Sequence, residues 1–104
     1  MASKKSDTTT IKWQGTAGIE QAHSLQEELL KAFNKSNRVL LDISEVEDID
    51  ITGIQLIIAA RKEADATEKA FFITGKIPEA ISEFTAACSI SLTDYALPET
   101  QEAE

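Results

Sequence analysis

This sequence has little of what enzyme chemistry draws on most. It carries one cysteine, one histidine, one tryptophan and one tyrosine in 104 positions. The lone Cys88 excludes an internal disulfide and a cysteine-based zinc site. Its neighbours Ala86, Ala87 and Ile90 are apolar, the setting of an inert buried thiol rather than a reactive one. His23 has no second histidine or nearby cysteine with which to form a nucleophile–base pair, and next to Ala22 it reads as a packed or solvent-facing helix residue. The four glycines, at 15, 18, 53 and 75, are too scattered for a phosphate-cradling loop. Asp42 and Asp50 are the one pair of carboxylates to weigh as an acid–base pair or magnesium site. Asp42 reads instead as projecting at a strand end, and Asp50 as supporting a turn through local backbone hydrogen bonds. Neither a catalytic residue nor a bound cofactor or metal is expected.

Positive charge is scarce too. Ten Lys and Arg face 18 Asp and Glu, a net charge of −8, and phosphate-rich partners need the opposite balance. Nucleic acid and direct contact with an anionic membrane are therefore excluded as expectations. Glu99, Glu102 and Glu104 lie in a polar tail, but the body remains acidic without them, which favours a partner with a basic rim. Long apolar runs are absent: the longest, Ile54 to Ala60, is broken by Gln55, far short of the ~18 residues of a spanning helix. The opening MASKKSDTTT has lysines but no apolar segment behind them, so it does not read as a secretory signal. A cytoplasmic, soluble protein is the expectation.

What is present is one domain's worth of alternating elements. Residues 1–9 read as a flexible segment, 10–97 as the domain and 98–104 as the acidic tail. Ile11 to Trp13, closing at Gly15, predicts a short strand. A helix follows from about Glu20 to Asn34, with Ala22, Leu25, Leu29 and Phe33 at helical spacing. Val39, Leu40, Leu41 and Ile43 form an apolar run suited to a central strand, followed by an acidic turn through Ser44–Asp48. The second helix is expected from about Gly53 to Ala64, and Ala70 to Thr74 as a strand closed by Gly75. A third helix opens at Pro78, its apolar positions Ile77, Ala80, Ile81, Phe84 and Cys88. Ile90 and Leu92 predict a last edge strand. The order implies an α/β domain with a mostly parallel or mixed sheet and helices packed on it.

The second helix is the feature with functional content. Thr52 reads as its N-cap, Gln55 completes a capping box, and Ile51 and Leu56 occupy staple positions; on that reading alone Thr52 needs no further role. The helix is, however, apolar on more than one face. Ile54, Ile57 and Ile58 can face the sheet, which leaves Leu56, Ala59 and Ala60 to be covered by a partner, or Leu56 by the acidic turn or the C-terminal segment. Just ahead stand Glu45, Glu47, Asp48 and Asp50, partly stabilised by the helix dipole.

Those residues carry a family resemblance. From about Ile11 to Leu97, including Gly15, the strand LLDIS and the turn-helix DITGIQLIIAARKEA, the chain resembles the STAS domains of bacterial anti-sigma factor antagonists. The resemblance implies a single STAS-type domain, a small mixed β-sheet with helices packed largely on one face. In that family the turn usually reads Asp-Ser-Ser-Gly and its second hydroxyl is the phosphoacceptor. That position falls on Thr52, while Ile51 replaces the first serine. The implied partners are a histidine-kinase-like anti-sigma factor, which is also the serine/threonine kinase and holds the ATP, and a resetting phosphatase. The implied docking residues are Asp48, Asp50, Ile51, Thr52, Gly53, Ile54, Gln55, Leu56, Ala59 and Ala60. A phosphate on Thr52 adds about −1.5 to −2 charge beside the carboxylates, where helix N–H groups can receive it; a binding loss of ~3 kcal/mol is more than a hundredfold in affinity. An apolar docking helix can also self-associate, so a weak homodimer is a further expectation. Resemblance supports two other clients, the ATPase of a phospholipid-transport ABC system and a chemotaxis-like kinase network, neither needing phosphorylation. A nucleotide-processing enzyme is the reading from a different class.

Overall fold

Strand β2 (Arg38–Ile49) lies at the centre of the molecule, flanked by β1 (Thr8–Ala17) and β3 (Ala70–Thr74) in the sheet order β1-β2-β3. The structure, a computed structural model, describes residues 8–96. The expectations for the acidic tail and for the first seven residues fall outside that range. Thr8 and Thr9, expected in the flexible segment, belong to β1 and pair with Arg38 and Val39. All three strands are parallel, with no antiparallel member among the described residues.

Alternation along the strands separates two faces. Ile11 and Trp13 on β1, Val39, Leu41 and Ile43 on β2, and Phe71 and Ile73 on β3 are all buried. The intervening Thr10, Lys12 and Gln14 are exposed, while Leu40, Asp42 and Phe72 are half-buried. The buried face is covered by α1 (Ala22–Lys35) and α2 (Ile51–Ala66). Two successive right-handed crossovers between adjacent parallel strands put both helices on the same side. There α1 packs against β1 and α2, and α2 against β3; Phe33 of α1 meets Phe71 of β3 with ring centroids 6.3 Å apart. Full burial of Ile54 and Ile57 from α2 contributes about 1.5–3 kcal/mol each.

Four expectations need correction. The stretch Ser44–Asp48 is not a turn, because β2 continues through it. Val46 and Ile49 point inward while Glu45, Glu47 and Asp48 are exposed. Irregular register between Lys12 and Gln14 and between Gly15 and Thr16 absorbs the broken alternation, with Gly15 at φ +68 next to the second shift. Helix α2 begins at Ile51 and runs to Ala66, longer at both ends than its apolar pattern. In α3 (Glu79–Ala87), Pro78 is the residue before the first turn, and the buried positions are Ile81 and Thr85, with Phe84 and Ala80 exposed. Thr85 tolerates burial because its hydroxyl donates to Ser82 O at 3.0 Å. Finally, Ile90 and Leu92 form no strand. Ser89 reverses the chain at φ 66, and Leu92–Tyr95 is a 3-10 turn whose Leu92 plugs the core. Only Ala96 then bridges to Ile73, in parallel sense.

Candidate functional site

The opening of α2 is organised by Asp50, not Thr52. Asp50 is in extended backbone conformation at φ −118, and its Oδ1 accepts from the N–H of Thr52 at 2.8 Å and of Gly53 at 3.2 Å. The expected Thr52 cap is therefore two residues too late. Thr52 is the second residue of the helix, and Gln55 closes no capping box. The staple positions shift likewise to Ile49 and Ile54, both buried. Asp50 also reaches across the fold, since its Oδ2 accepts from Ile19 N–H at 3.1 Å, and its own N–H donates to Ala17 O at 3.4 Å. Burial pushes the Asp50 pKa up, but the N–H groups of Ile19, Gly53 and Thr52 together outweigh it and hold the carboxyl below its ordinary value.

Two glycines make this junction possible. A Cβ on Gly53 would lie 2.3 Å from Ala17 O and 2.8 Å from Ile49 Cγ1, so only glycine lets α2 start directly against the end of β1. A Cβ on Gly18 would meet Asp50 Oδ2 at 2.7 Å. Gly18 also anchors the short 3-10 turn Ile19–Gln21, where Gln21 Oε1 accepts from Gly18 N–H at 3.1 Å.

This arrangement divides the residues expected to dock a partner. Asp48, Ile51, Gln55 and Ala59 are exposed, and Asp50, Thr52 and Leu56 half-buried. Gly53 and Ile54 are buried and offer no side-chain surface, and Ala60 is buried too. Ala60, expected on an open face, lies beneath α1, where Leu56, Ala59, Ala60 and Glu63 line one side of a groove of about 140 Å³. Gln26, Leu29, Leu30 and Phe33 line the other side, so it is α1 that flanks Leu56 here, not the acidic stretch of β2 or the C-terminal segment. The Thr52 hydroxyl makes no hydrogen bond to another described residue.

One exposed apolar residue escaped the sequence reading. Ile19 is 70% exposed and Ile51 49% exposed, and both are backbone neighbours of the Asp50 carboxylate. Its spacing hid it: Ile19 stands three residues before Ala22, in step with the apolar positions of α1, and only the separate 3-10 turn Ile19–Gln21 takes it off the helix.

Among the described residues no three His, Cys, Asp or Glu side chains gather to hold a metal ion, and no helix is long and apolar enough to cross a membrane. Asp42 and Asp50 have separate partners; Asp42 lies within β2 rather than at a strand end, and accepts from Ser44 N–H two residues on at 2.8 Å. That bond and the Ser44 side chain hold its pKa below the ordinary value against the opposing effect of burial, with Lys12 adding to the lowering.

Three parallel strands with α1 and α2 on one face, and an exposed apolar helix opening set against the last residues of β1, define a small α/β module. The chain belongs to the STAS domain family: the family model described as "Mlab, STAS domain" matches residues 1–87. No curated protein matches the chain by sequence. Among solved structures, the anti-sigma factor antagonist SpoIIAA superposes in its unphosphorylated form with a TM-score of 0.62 at 13% identity, over 81% of this chain and 78% of that one. The phosphorylated form, from Bacillus, gives 0.65 at 13% identity over 88% and 81%. A Thermotoga maritima protein, itself only provisionally designated an anti-sigma factor antagonist, gives 0.64 at 22% identity over 82% and 76%. A sulfate transporter family protein of Wolinella succinogenes gives 0.66 at 13% identity over 80% and 67%. At these identities the likeness is one of fold.

Proposed function

We propose that this domain is an anti-sigma factor antagonist, a non-catalytic regulator that binds a kinase-like anti-sigma factor through the opening of α2 and is released by phosphorylation of Thr52. The observation that carries the reading is the state of the Thr52 hydroxyl. Asp50 has taken the cap, so the hydroxyl is committed to no described partner, half-buried, and one residue from the exposed Ile51. Similarity of fold to SpoIIAA, solved in phosphorylated and unphosphorylated forms, supports the assignment.

A phosphate on Thr52 would meet N–H groups that are already engaged. Thr52 and Gly53 donate to Asp50, and Ile54 N–H donates to Asp50 O at 3.2 Å. Phosphate and carboxylate would compete for the same donors and repel each other, at the point where a docked surface excludes water. The partner then faces a desolvated dianion, and affinity falls with no refolding of the domain.

The test is affinity capture from native lysate with wild type and Thr52→Glu side by side, followed by ATP treatment of the captured complex and mapping of the phosphosite. A kinase-like anti-sigma factor held by wild type, lost with Thr52→Glu and placing phosphate on Thr52 supports the reading. Equal capture of that partner by both forms, or phosphate placed elsewhere, overturns the switch.

A second reading keeps the fold and moves the client to a transport system, as an accessory domain without phosphorylation control. The fold match to a sulfate transporter family protein favours it. Capture of an ABC-type ATPase, indifferent to Thr52→Glu, would establish it.

A further inference from the structure

We infer that Ile19 and Ile51 form one two-residue docking element, locked together by the Asp50 carboxylate, for a protein surface whose apolar centre is rimmed by Lys and Arg. The inference rests on the reading above that this end of the molecule docks a protein, and it adds a second segment, the start of α1, to the contact.

Ile19 and Ile51 are two of the four large hydrophobic side chains exposed among the described residues, with Leu30 and Phe84. They come from segments more than thirty residues apart, yet one carboxylate sets both: Asp50 accepts from Ile19 N–H at 3.1 Å and caps the helix whose first residue is Ile51. Their backbone positions are therefore tied together before any partner arrives, and a preorganised pair binds with less ordering entropy lost.

Charge names the occupant. Residues 13–26 and 43–60, the stretches that run into and out of the Ile19–Asp50 junction, hold five carboxylates (Glu20, Glu45, Glu47, Asp48, Asp50) and no lysine or arginine. The neighbouring Lys12 pairs with Glu45, at 3.2 Å. Glu20, Glu47 and Asp48 are exposed and make no ion pair with a described residue. An apolar pair flanked in the chain by three exposed carboxylates without an ion-pair partner, Glu20, Glu47 and Asp48, is complementary to an apolar contact rimmed by cations, and it disfavours a second copy of itself, which would bring the same carboxylates face to face. A basic rim would also accelerate encounter and make binding salt-sensitive.

The test places the photo-crosslinking residue p-benzoylphenylalanine at position 19 and, separately, at position 51 of the full chain in its native cells, and identifies the crosslinked peptides. The expected result is one partner protein, crosslinked from both positions within a segment bearing Lys or Arg. Capture of that partner should fall about tenfold for Ile19→Ser, as for a central apolar contact, and at least severalfold between 50 and 500 mM salt. Crosslinks to unrelated proteins, to none, or to a second copy of the chain would overturn the inference, as would salt-independent binding. Ile19→Ser should melt at the wild-type temperature, so a lost interaction is not lost folding. The two proposals fail separately. Capture lost with Ile19→Ser but kept with Thr52→Glu retains the surface and removes the switch; the reverse retains the switch and removes the surface.

Discussion

The Asp50 carboxylate accepts a hydrogen bond from the Ile19 N–H at 3.1 Å, joining residues 31 apart in sequence. The same group caps α2 through Thr52 and Gly53. The start of one helix and the approach to another thus share an anchor, and disturbing either disturbs both.

That anchor has a pH signature. The folded pKa of Asp50 lies below its ordinary value of 3.8, so the charged form is favoured by folding. Its contribution is fully present above the unfolded pKa and is lost as pH falls through the folded one. Urea midpoints measured from pH 7 to pH 3 should therefore fall more steeply for wild type than for Asp50→Asn below about pH 4. Asp50→Ala should lower Tm at pH 7 by about 5 °C, the usual consequence of losing a cap in a domain of this size.

Gly53→Ala should destabilise, although alanine is the better helix former. The gain from helix propensity is at most ~1 kcal/mol. Against it stands a Cβ 2.3 Å from a backbone oxygen, Ala17 O, that cannot rotate away. Overpacking of this kind costs about 1–3 kcal/mol, and at 2.3 Å the upper end is expected, for a net loss near 2 kcal/mol in urea unfolding. Gly18→Ala should cost less, because its obstacle is the mobile end of the Asp50 side chain.

Thr52→Ala should leave stability unchanged or raise it by a few tenths of a kcal/mol, since the hydroxyl caps nothing and alanine suits a first helical turn. A loss of ~1 kcal/mol in the same urea measurement would return the cap to Thr52.

Arg61 closes the free edge of β3. Its Nε donates to Phe71 O at 3.2 Å, and its guanidinium lies 5.8 Å from the Phe72 ring centroid and 4.6 Å from that of Tyr95. Arg61→Ala should cost about 1–2 kcal/mol and speed amide exchange in β3 and in the Leu92–Tyr95 turn. Arg61→Lys should recover little, lacking the planar fork that stacks and donates at once.

Much of the fold was legible locally. The continuous apolar run at Val39–Ile43 and the segment AFFIT identified β2 and β3, and Leu25, Leu29 and Phe33 the inner face of α1, because burial on a regular element imposes its period on the residues beneath. The stretch from Ser44 to Asp48 misled because its charges dominate the eye. Val46 and Ile49 were its only inward signal, and register irregularities in the pairing with β1 obscured their spacing. Ile90 and Leu92 alternate as a strand does, yet the positive φ of Ser89 turns the chain before any ladder can form.

The sequence by itself determined the order of elements, the STAS resemblance and the acidic character of the stretch ahead of α2, since these depend on composition and short-range period. Tertiary structure alone decided the rest. Asp50 and Thr52 are both good capping residues two positions apart, and local propensity cannot choose between them. The choice falls to Asp50 at the junction where Gly53 brings α2 against Ala17 and where Ile19 N–H supplies the carboxylate a third donor from a distant segment. Ala60 is buried because α1 lies over it, and Ile19 N–H meets the Asp50 carboxylate because two parallel crossovers begin their helices at the same end of the sheet. Each of these depends on contacts between residues far apart in the chain, which no local pattern records.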